Sequence, residues 1–220
     1  MKKLILPIVA IAAFFVACDS APEGDNATVT DEKTAADSVG VAMTIDTTAS
    51  SIAFTGWGVG KNHPGKFKLS NGNVTVKDGK VMSGVFSINI NSMAMDEEGE
   101  MFQTKLRGHL LSADFFNAAE HPEGKFEITG TEPFTPTAGD TSVVAGANTK
   151  ISGNLTLKGV TKNVSFPAKV DITESGITAV ANFDIDRTQW DMHYNEDKES
   201  AQDKFIAHEV NIRLNVTGKK

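Results

Sequence analysis

The chain is expected to be an all-β protein, either a sandwich or a closed barrel, and three observations predict this. Apolar and polar residues alternate through most of the sequence, turn signals recur between the alternating runs, and only residues 100–117 carry a helical pattern. Period-2 alternation is the mark of a strand with one dry face and one wet face.

Taken in order, Ile52 and Phe54 alternate ahead of a glycine-rich bend, Gly56-Trp57-Gly58-Val59-Gly60. Val74 and Val76 lead to Asp78-Gly79, a two-residue hairpin signal, and Met82, Phe86, Ile88 and Ile90 follow in one register. In the helical stretch, Ser112 is placed to cap a single turn through Phe116. Phe126 and Ile128 mark the next strand, which ends in a Thr/Pro/Gly loop. Ile151, Leu155 and Leu157 alternate, the short link Lys158-Gly159-Val160-Thr161-Lys162 follows, and Val164, Phe166, Ala168 and Val170 alternate again. Ile177, Val180, Phe183 and Ile185 make another strand. In the last, Ile206, His208, Val210, Ile212, Leu214 and Val216 share one face, opposite Glu209, Asn211, Arg213 and Asn215. Alternation does not choose between sandwich and barrel. A barrel of about eight strands either fills its interior with side chains or holds one small ligand.

The length, 220 residues, suits one large domain or two small ones. A formal charge of −7 and the lack of any Lys/Arg cluster argue against nucleic acid as a partner. A single Cys excludes an intrachain disulfide. Lys2 and Lys3 precede a 13-residue apolar run, residues 4–16, too short to span a bilayer as a helix of about 20 residues. The run ends at Ala17-Cys18 and the chain turns polar at Asp19, the shape of a secretory signal peptide over residues 1–17. The stretch around the lone Cys resembles a bacterial lipobox, which implies acylation of Cys18 and a membrane anchor. The plainer alternative is an ordinary signal peptide cut near Ala17.

Residues 18–40 are expected to be an acidic, flexible tether. From residue 19 they carry six acids against Lys33 and no aromatic residue, too little apolar surface to order the segment. As a flexible coil they reach on the order of 25 Å. Loss of Lys2 and Lys3 with the signal peptide takes the charge from −7 to −9, more than half of it in the tether. The folded domain is expected over residues 41–220.

Several segments together resemble the YceI-like family of secreted bacterial proteins, the polyisoprenoid-binding group. They are His63-Pro64-Gly65-Lys66-Phe67, then Asp78-Gly79-Lys80 leading to Gly84-Val85-Phe86-Ser87-Ile88, then Leu106-Arg107-Gly108-His109-Leu110-Leu111-Ser112-Ala113-Asp114-Phe115-Phe116. His121-Pro122, Phe126-Glu127-Ile128, residues 155–167 and Phe183-Asp184-Ile185-Asp186-Arg187-Thr188 complete the match. The resemblance implies an eight-stranded antiparallel lipocalin-like barrel with a short helical segment between two strands, and an apolar tunnel for an isoprenoid chain such as a quinone or polyprenyl lipid. It implies no enzymatic activity and no cofactor. The wall candidates are Phe54, Trp57, Phe67, Phe86 and Ile88, with Phe115, Phe126, Leu157, Phe166 and Phe183. Each of these is also an ordinary core filler. Arg187 is either a donor for the ligand's head group or part of a network with Asp184 and Asp186 that pins neighbouring loops. His208 is either a polar anchor for the head group or a hydrogen-bonded core histidine.

Other chemistries fit poorly. His63, His109, His121, His193 and His208 are scattered singly, without metal-ligand spacing. His63 and His121 precede Pro, which suggests ordered turns. There is no Gly-x-Ser-x-Gly elbow, and Gly56, Gly58 and Gly60 do not follow dinucleotide-binding spacing. The sequence therefore points to a lipid-anchored protein of the bacterial cell envelope, periplasmic or surface-facing, that holds a hydrophobic lipid. The rival expectation is a ligand-free interaction or stress module with a filled barrel. The oligomeric state, a homodimer included, is left open.

Overall fold

The computed structural model describes residues 23–58 and 60–220, so the expected signal peptide and Cys18 lie outside the described residues. Eight strands make a closed barrel: β4 (Ser51–Gly58), β5 (Lys61–Lys77), β6 (Lys80–Met95), β7 (Glu123–Pro133), β8 (Thr149–Leu157), β9 (Val160–Ile172), β10 (Gly176–Asp186) and β11 (Ile206–Lys219). Each pairs antiparallel with the next, and β11 returns to β4 to close the ring. The barrel and the short helical segment after β6 match the fold class expected from the sequence. A further strand, β3 (Val41–Ile45), fills the corner beyond the start of β4, bridging Asn73–Val76 of β5 and Gly218–Lys219 of β11.

Local chemistry explains the hairpins. Asp78-Gly79 and Lys158-Gly159 each place two consecutive residues at positive φ, the mirror-image turn that matches strand twist. The link expected over 158–162 is thus only two residues long, and Val160 already belongs to β9. The bend expected over 56–60 is narrower than that: β4 runs on through Gly58, and Gly60, at positive φ, precedes the start of β5 at Lys61. Strands β5 and β6 have 17 and 16 residues, roughly 55 Å of contour each. They wrap the barrel by coiling, and β-bulges between Lys66 and Lys68 and between Leu69 and Asn71 supply the curvature.

The inward faces carry the core. On β9, Val164, Phe166, Ala168 and Val170 are all buried, as the alternation predicts. Two positions differ from expectation. A ladder shift near Thr75–Val76 turns Val81 inward and leaves Met82 half-buried. On β10 the inward set is Ile177, Ala179, Ala181, Phe183 and Ile185, so Val180 is exposed. Its bulk suggested the inner face, but strict alternation favoured the two small alanines.

The segment between β6 and β7 is a π-helical run, Met101–Leu106, continuing as an α-helical turn, Arg107–Leu110. Ser112 closes this helix, its Oγ donating to the His109 carbonyl at 2.7 Å, and also opens the expected turn, its Oγ accepting from Asp114 N at 3.4 Å and its carbonyl from Phe115 N at 3.1 Å.

The largest departure concerns the expected tether. From residue 23 the acidic segment lies on the barrel wall. Its two short strands, β1 (Asp25–Asn26) and β2 (Thr28–Asp31), pair with β10 in parallel and with β9 antiparallel, respectively. The chain then crosses β8, β7 and β6, with Lys33 bonded to Asn154, Ala36 N to the Ile128 carbonyl and Ser38 to Ser83. The expectation of flexibility weighed only apolar side chains. This segment is held by backbone pairing to strand edges that have no other partner. Strands β9 and β10 pair directly only over Lys169–Ile172 and Ile177–Val180, and beyond that the N-terminal segment sits between them.

Rings lying on glycines set the interior. A Cβ on Gly153 would fall 2.3 Å from Cζ of Phe126, and one on Gly65 would fall 2.5 Å from Cζ of Phe54. Gly153→Val is therefore expected to destabilise the barrel by about 1–3 kcal/mol, through a ring driven off the wall. A urea titration checks this, and an unchanged midpoint would refute it.

Candidate functional site

The barrel encloses a cavity of about 280 Å³, just below the range for ligand pockets of about 300–1,000 Å³. Inward residues of all eight strands line it, and Leu106, Leu110, Phe115 and Phe116 of the β6–β7 connection contribute to one end. Among the described residues, no Asp, Glu, Lys, Ser, Thr or Cys lines it.

Aromatic rings form two runs along this wall. Phe86, Phe126, Phe166 and Phe183 succeed one another on β6, β7, β9 and β10 at centroid distances of 6.2, 6.0 and 3.9 Å. Phe54, Phe67 and Phe116 form the second, at 5.1 and 5.4 Å. Offset and tilted rings at these spacings attract one another and pack as a smooth apolar surface.

Most of the sequence-predicted wall residues meet here. Phe54 and Trp57 on β4, Phe67 on β5, and Phe86 and Ile88 on β6 all line the cavity. So do Phe126, Leu157, Phe166 and Phe183 on the next four strands, and Phe115 beside the helix. His208 does not. A bulge between Ile206 and Val210 turns it away from the lumen, and its Nε2 lies 2.9 Å from the Glu196 carbonyl, where it holds the preceding loop. Trp190 and Met192 line the cavity but were hidden in the sequence by the polar run around them. Trp190 is fully buried, and its Nε1 donates to the Leu155 carbonyl at 2.9 Å.

Arg187 lines the same end, and its hydrogen bonds pin neighbouring segments, though not through the expected acids. Its guanidinium donates to the carbonyls of Ala207, Met192, Tyr194 and Ile206, using four of its five N–H groups. The acids expected beside it serve elsewhere. Asp186 caps the turn Arg187–Trp190 by accepting from Thr188, and Asp184 accepts from Gly24 N and Asn211 Nδ2. Burial pushes the Arg187 guanidinium below its ordinary pKa, against the opposing pull of Glu196 and Asp186.

At the same end, His63 lies within β5, not in the turn its Pro neighbour suggested. Its Nδ1 is 2.7 Å from Glu97, which also pairs with Lys61 at 3.0 Å, and Lys61 sits over the Phe102 ring. Burial pushes the Glu97 carboxyl up, but the hydrogen bonds from His63 and Lys61 outweigh it and hold the pKa below its ordinary 4.5. His109, also on the lining, is backed by Asp114 at 2.9 Å.

A closed antiparallel barrel with a hydrocarbon-walled lumen places the protein in the lipocalin-like class. The YceI-like domain model matches residues 43–218, and the chain belongs to that family. Protein YceI of Escherichia coli O6:H1 is 31% identical over 106 residues, 48% of each chain. A UPF0312 protein of Azotobacter vinelandii is 31% identical over 105 residues, 48% of this chain and 47% of its own. The chain thus spans about half the length of the curated relatives it matches. Among solved structures, Burkholderia cenocepacia BcnA shares the fold with a TM-score of 0.62 at 20% identity, covering 79% of this chain and 98% of its own. A polyisoprenoid binding domain from Saccharophagus degradans does so with a TM-score of 0.59 at 14% identity, covering 80% and 97%.

Two outcomes test the electrostatic reading. Arg187→Met strands buried carbonyls at about 1–3 kcal/mol each and is expected to destabilise the barrel by roughly 3 kcal/mol or more, measured by chemical denaturation. Glu97 has a depressed folded-state pKa, so its contribution is complete above 4.5 and lost as pH falls through the lower folded value. The stability difference between the natural protein and Glu97→Gln should therefore shrink on acidification below pH 4.5. A constant difference across that range would refute the assignment.

Proposed function

We propose that this protein binds an isoprenoid lipid, a quinone or a polyprenyl chain, in the barrel lumen and acts as a membrane-anchored carrier or store. One observation carries the reading: a cavity walled by aliphatic and aromatic side chains from every strand. Each methylene taken from water contributes about 0.8 kcal/mol, so a long prenyl chain is held with few polar contacts. The rival reading of a filled barrel requires a closed core, and the open lumen counts against it. The polyisoprenoid binding described for the Saccharophagus degradans domain of the same fold lends support. The lack of hydroxyl, thiol, amine or carboxylate side chains on the lining favours a binding role over a catalytic one.

The proposal includes acylation of Cys18 and residence in the bacterial envelope, periplasmic or surface-facing, where the anchor keeps the barrel beside the membrane that holds such lipids. The sequence features that support it are the apolar run before Cys18 and the absence of any other cysteine.

Native mass spectrometry of the detergent-free protein purified from its host tests the ligand. A discrete added mass that resolves into a prenyl lipid is expected. Leu214 lines the lumen and is only half-buried, so Leu214→Trp should fill free space and cut lipid retention at least tenfold while the fold survives. A bare protein that also fails to take up added quinones and polyprenyl lipids would refute the carrier reading.

A further inference from the structure

We propose that the N-terminal strap, residues 24–31, is a removable stave of the barrel wall, and that lipid enters and leaves the lumen sideways through the slot it covers. This rests on the lipid-binding reading above. Three observations lead to it.

The first is the seam itself. Strands β9 and β10 hydrogen-bond directly only over Lys169–Ile172 and Ile177–Val180. Beyond that stretch the strap follows the seam as two short strands, β1 pairing with Phe183–Asp184 of β10 and β2 with Lys162–Ser165 of β9. Neighbouring strands are about 4.8 Å apart, so withdrawing the strap leaves a slot one strand wide, suited to a slender hydrocarbon chain.

The second is how the strap is held. Of its side chains only Ala27 and Val29 pack against the core. The rest is hydrogen bonding and surface charge: Gly24 N to Asp184, Asp25 to Ser142 and Val143 N, and Lys162 to an Asp31 whose side chain is 96% exposed. An ion pair that exposed contributes little. The wall beneath is polar as well. Asn163 is fully buried and Asn211 is 3% exposed, and each keeps an Oδ1 without a partner. Asn163 is opposite Thr30 of the strap, and Gly24 lies against Asn211. Lifting the strap uncovers the Asn211 side chain, so release exposes a group that gains from hydration.

The third lies on the inner side of the same slot. Phe166 on β9 and Phe183 on β10 both line the lumen and stack face to face at 3.9 Å, with 7° between their planes. They form an inner leaf that closes the seam behind the strap. A stacked pair parts by rotamer change without breaking a backbone bond, and a passing chain replaces the apolar contacts it interrupts.

A cross-link decides the matter. Thr28 and Ser165 are directly opposed, in the range a disulfide bridges. Thr28→Cys/Ser165→Cys is made in the chain from residue 19 onward, which lacks Cys18 and contains every described residue. The probe is a farnesyl chain carrying an anthranilate fluorophore, loaded before oxidation. Release from the oxidised protein should be at least tenfold slower than from the reduced protein, at equal capacity. Gly24→Val should accelerate release in the uncrosslinked chain, since a Cβ there falls 2.6 Å from Asn211 and 2.7 Å from Asp184. Equal rates in oxidised and reduced protein overturn the gate and leave the helix-covered end as the route. No uptake in any state overturns the isoprenoid reading instead. Hydrogen exchange of the ligand-free protein then tests the strap alone: amides of residues 25–31 should exchange at least a hundredfold faster than the β5–β6 ladder, and equal protection overturns it.

Discussion

A barrel wall must find a partner for every backbone N–H and C=O it carries, and along β9 and β10 the ring of eight strands does not supply one. Each of these strands is paired on its outer flank, β9 with β8 and β10 with β11. Their facing edges separate above Lys169 and Val180. Much of the rest of the structure follows from that gap. It recruits residues 24–31, which have too little apolar surface to fold alone, and it brings Phe166 and Phe183 face to face behind them. It also explains why an outer barrel surface carries buried asparagines: Asn154 bonds both backbone groups of Lys33 and accepts from Asn163. Such groups are stable under cover only when their hydrogen bonds are met, and most of them are.

The second constraint is volume. An eight-stranded barrel is near the size at which side chains alone fill the interior. Here the interior stays open because several of the largest side chains lie flat. The Phe54 and Phe126 rings rest over glycines on the adjacent strands, and Ala168, Ala179 and Ala181 take inward positions that larger residues would close. One end is different in kind. There Arg187 gathers four carbonyls from the segment after β10 and from the start of β11, and Trp190 is fixed to the Leu155 carbonyl. Backbone acceptors, with no carboxylate among the described ion pairs, hold this buried charge in place.

How much of this was legible in the sequence depended on the range of the interactions. Hairpins set by two adjacent residues, Asp78-Gly79 and Lys158-Gly159, could be read directly, since positive φ is a local demand. The inward faces were readable wherever alternation was unbroken, as on β9, where Val164, Phe166, Ala168 and Val170 all face the lumen. Failures came where a ladder slipped. The bulge before Val210 took His208 off the inner face, and the shift near Thr75 exchanged Val81 for Met82. A bulge is a relation between two strands, so neither strand announces it. The strap was illegible for a deeper reason. Its composition correctly says that its side chains bury little, but what holds it is a pair of strand edges more than 130 residues away, and composition carries no information about those. Arg187 was placed correctly at one end of the lumen. The count of its committed donors, which decides between gripping a ligand and gripping a loop, needs coordinates.

The strap also changes what an anchor at Cys18 would mean. A free tether of about 22 residues would let the barrel wander on the order of 25 Å from its lipid. With the chain seated on the wall at Gly24, only six residue steps separate the proposed acylation site from the seam, at most about 20 Å when fully extended. Lipid and strap would then belong to one short run of chain, and the membrane would hold the protein by the element proposed to close its side. Displacement of the barrel from the surface would load the strap first, because the Gly24 bond to Asp184 is the first contact the described chain makes. An anchor attached at a loop or at the far terminus would restrain position alone. Attached here, it would couple distance from the membrane to the integrity of the wall, so that access to the lumen would become a function of where the barrel stands.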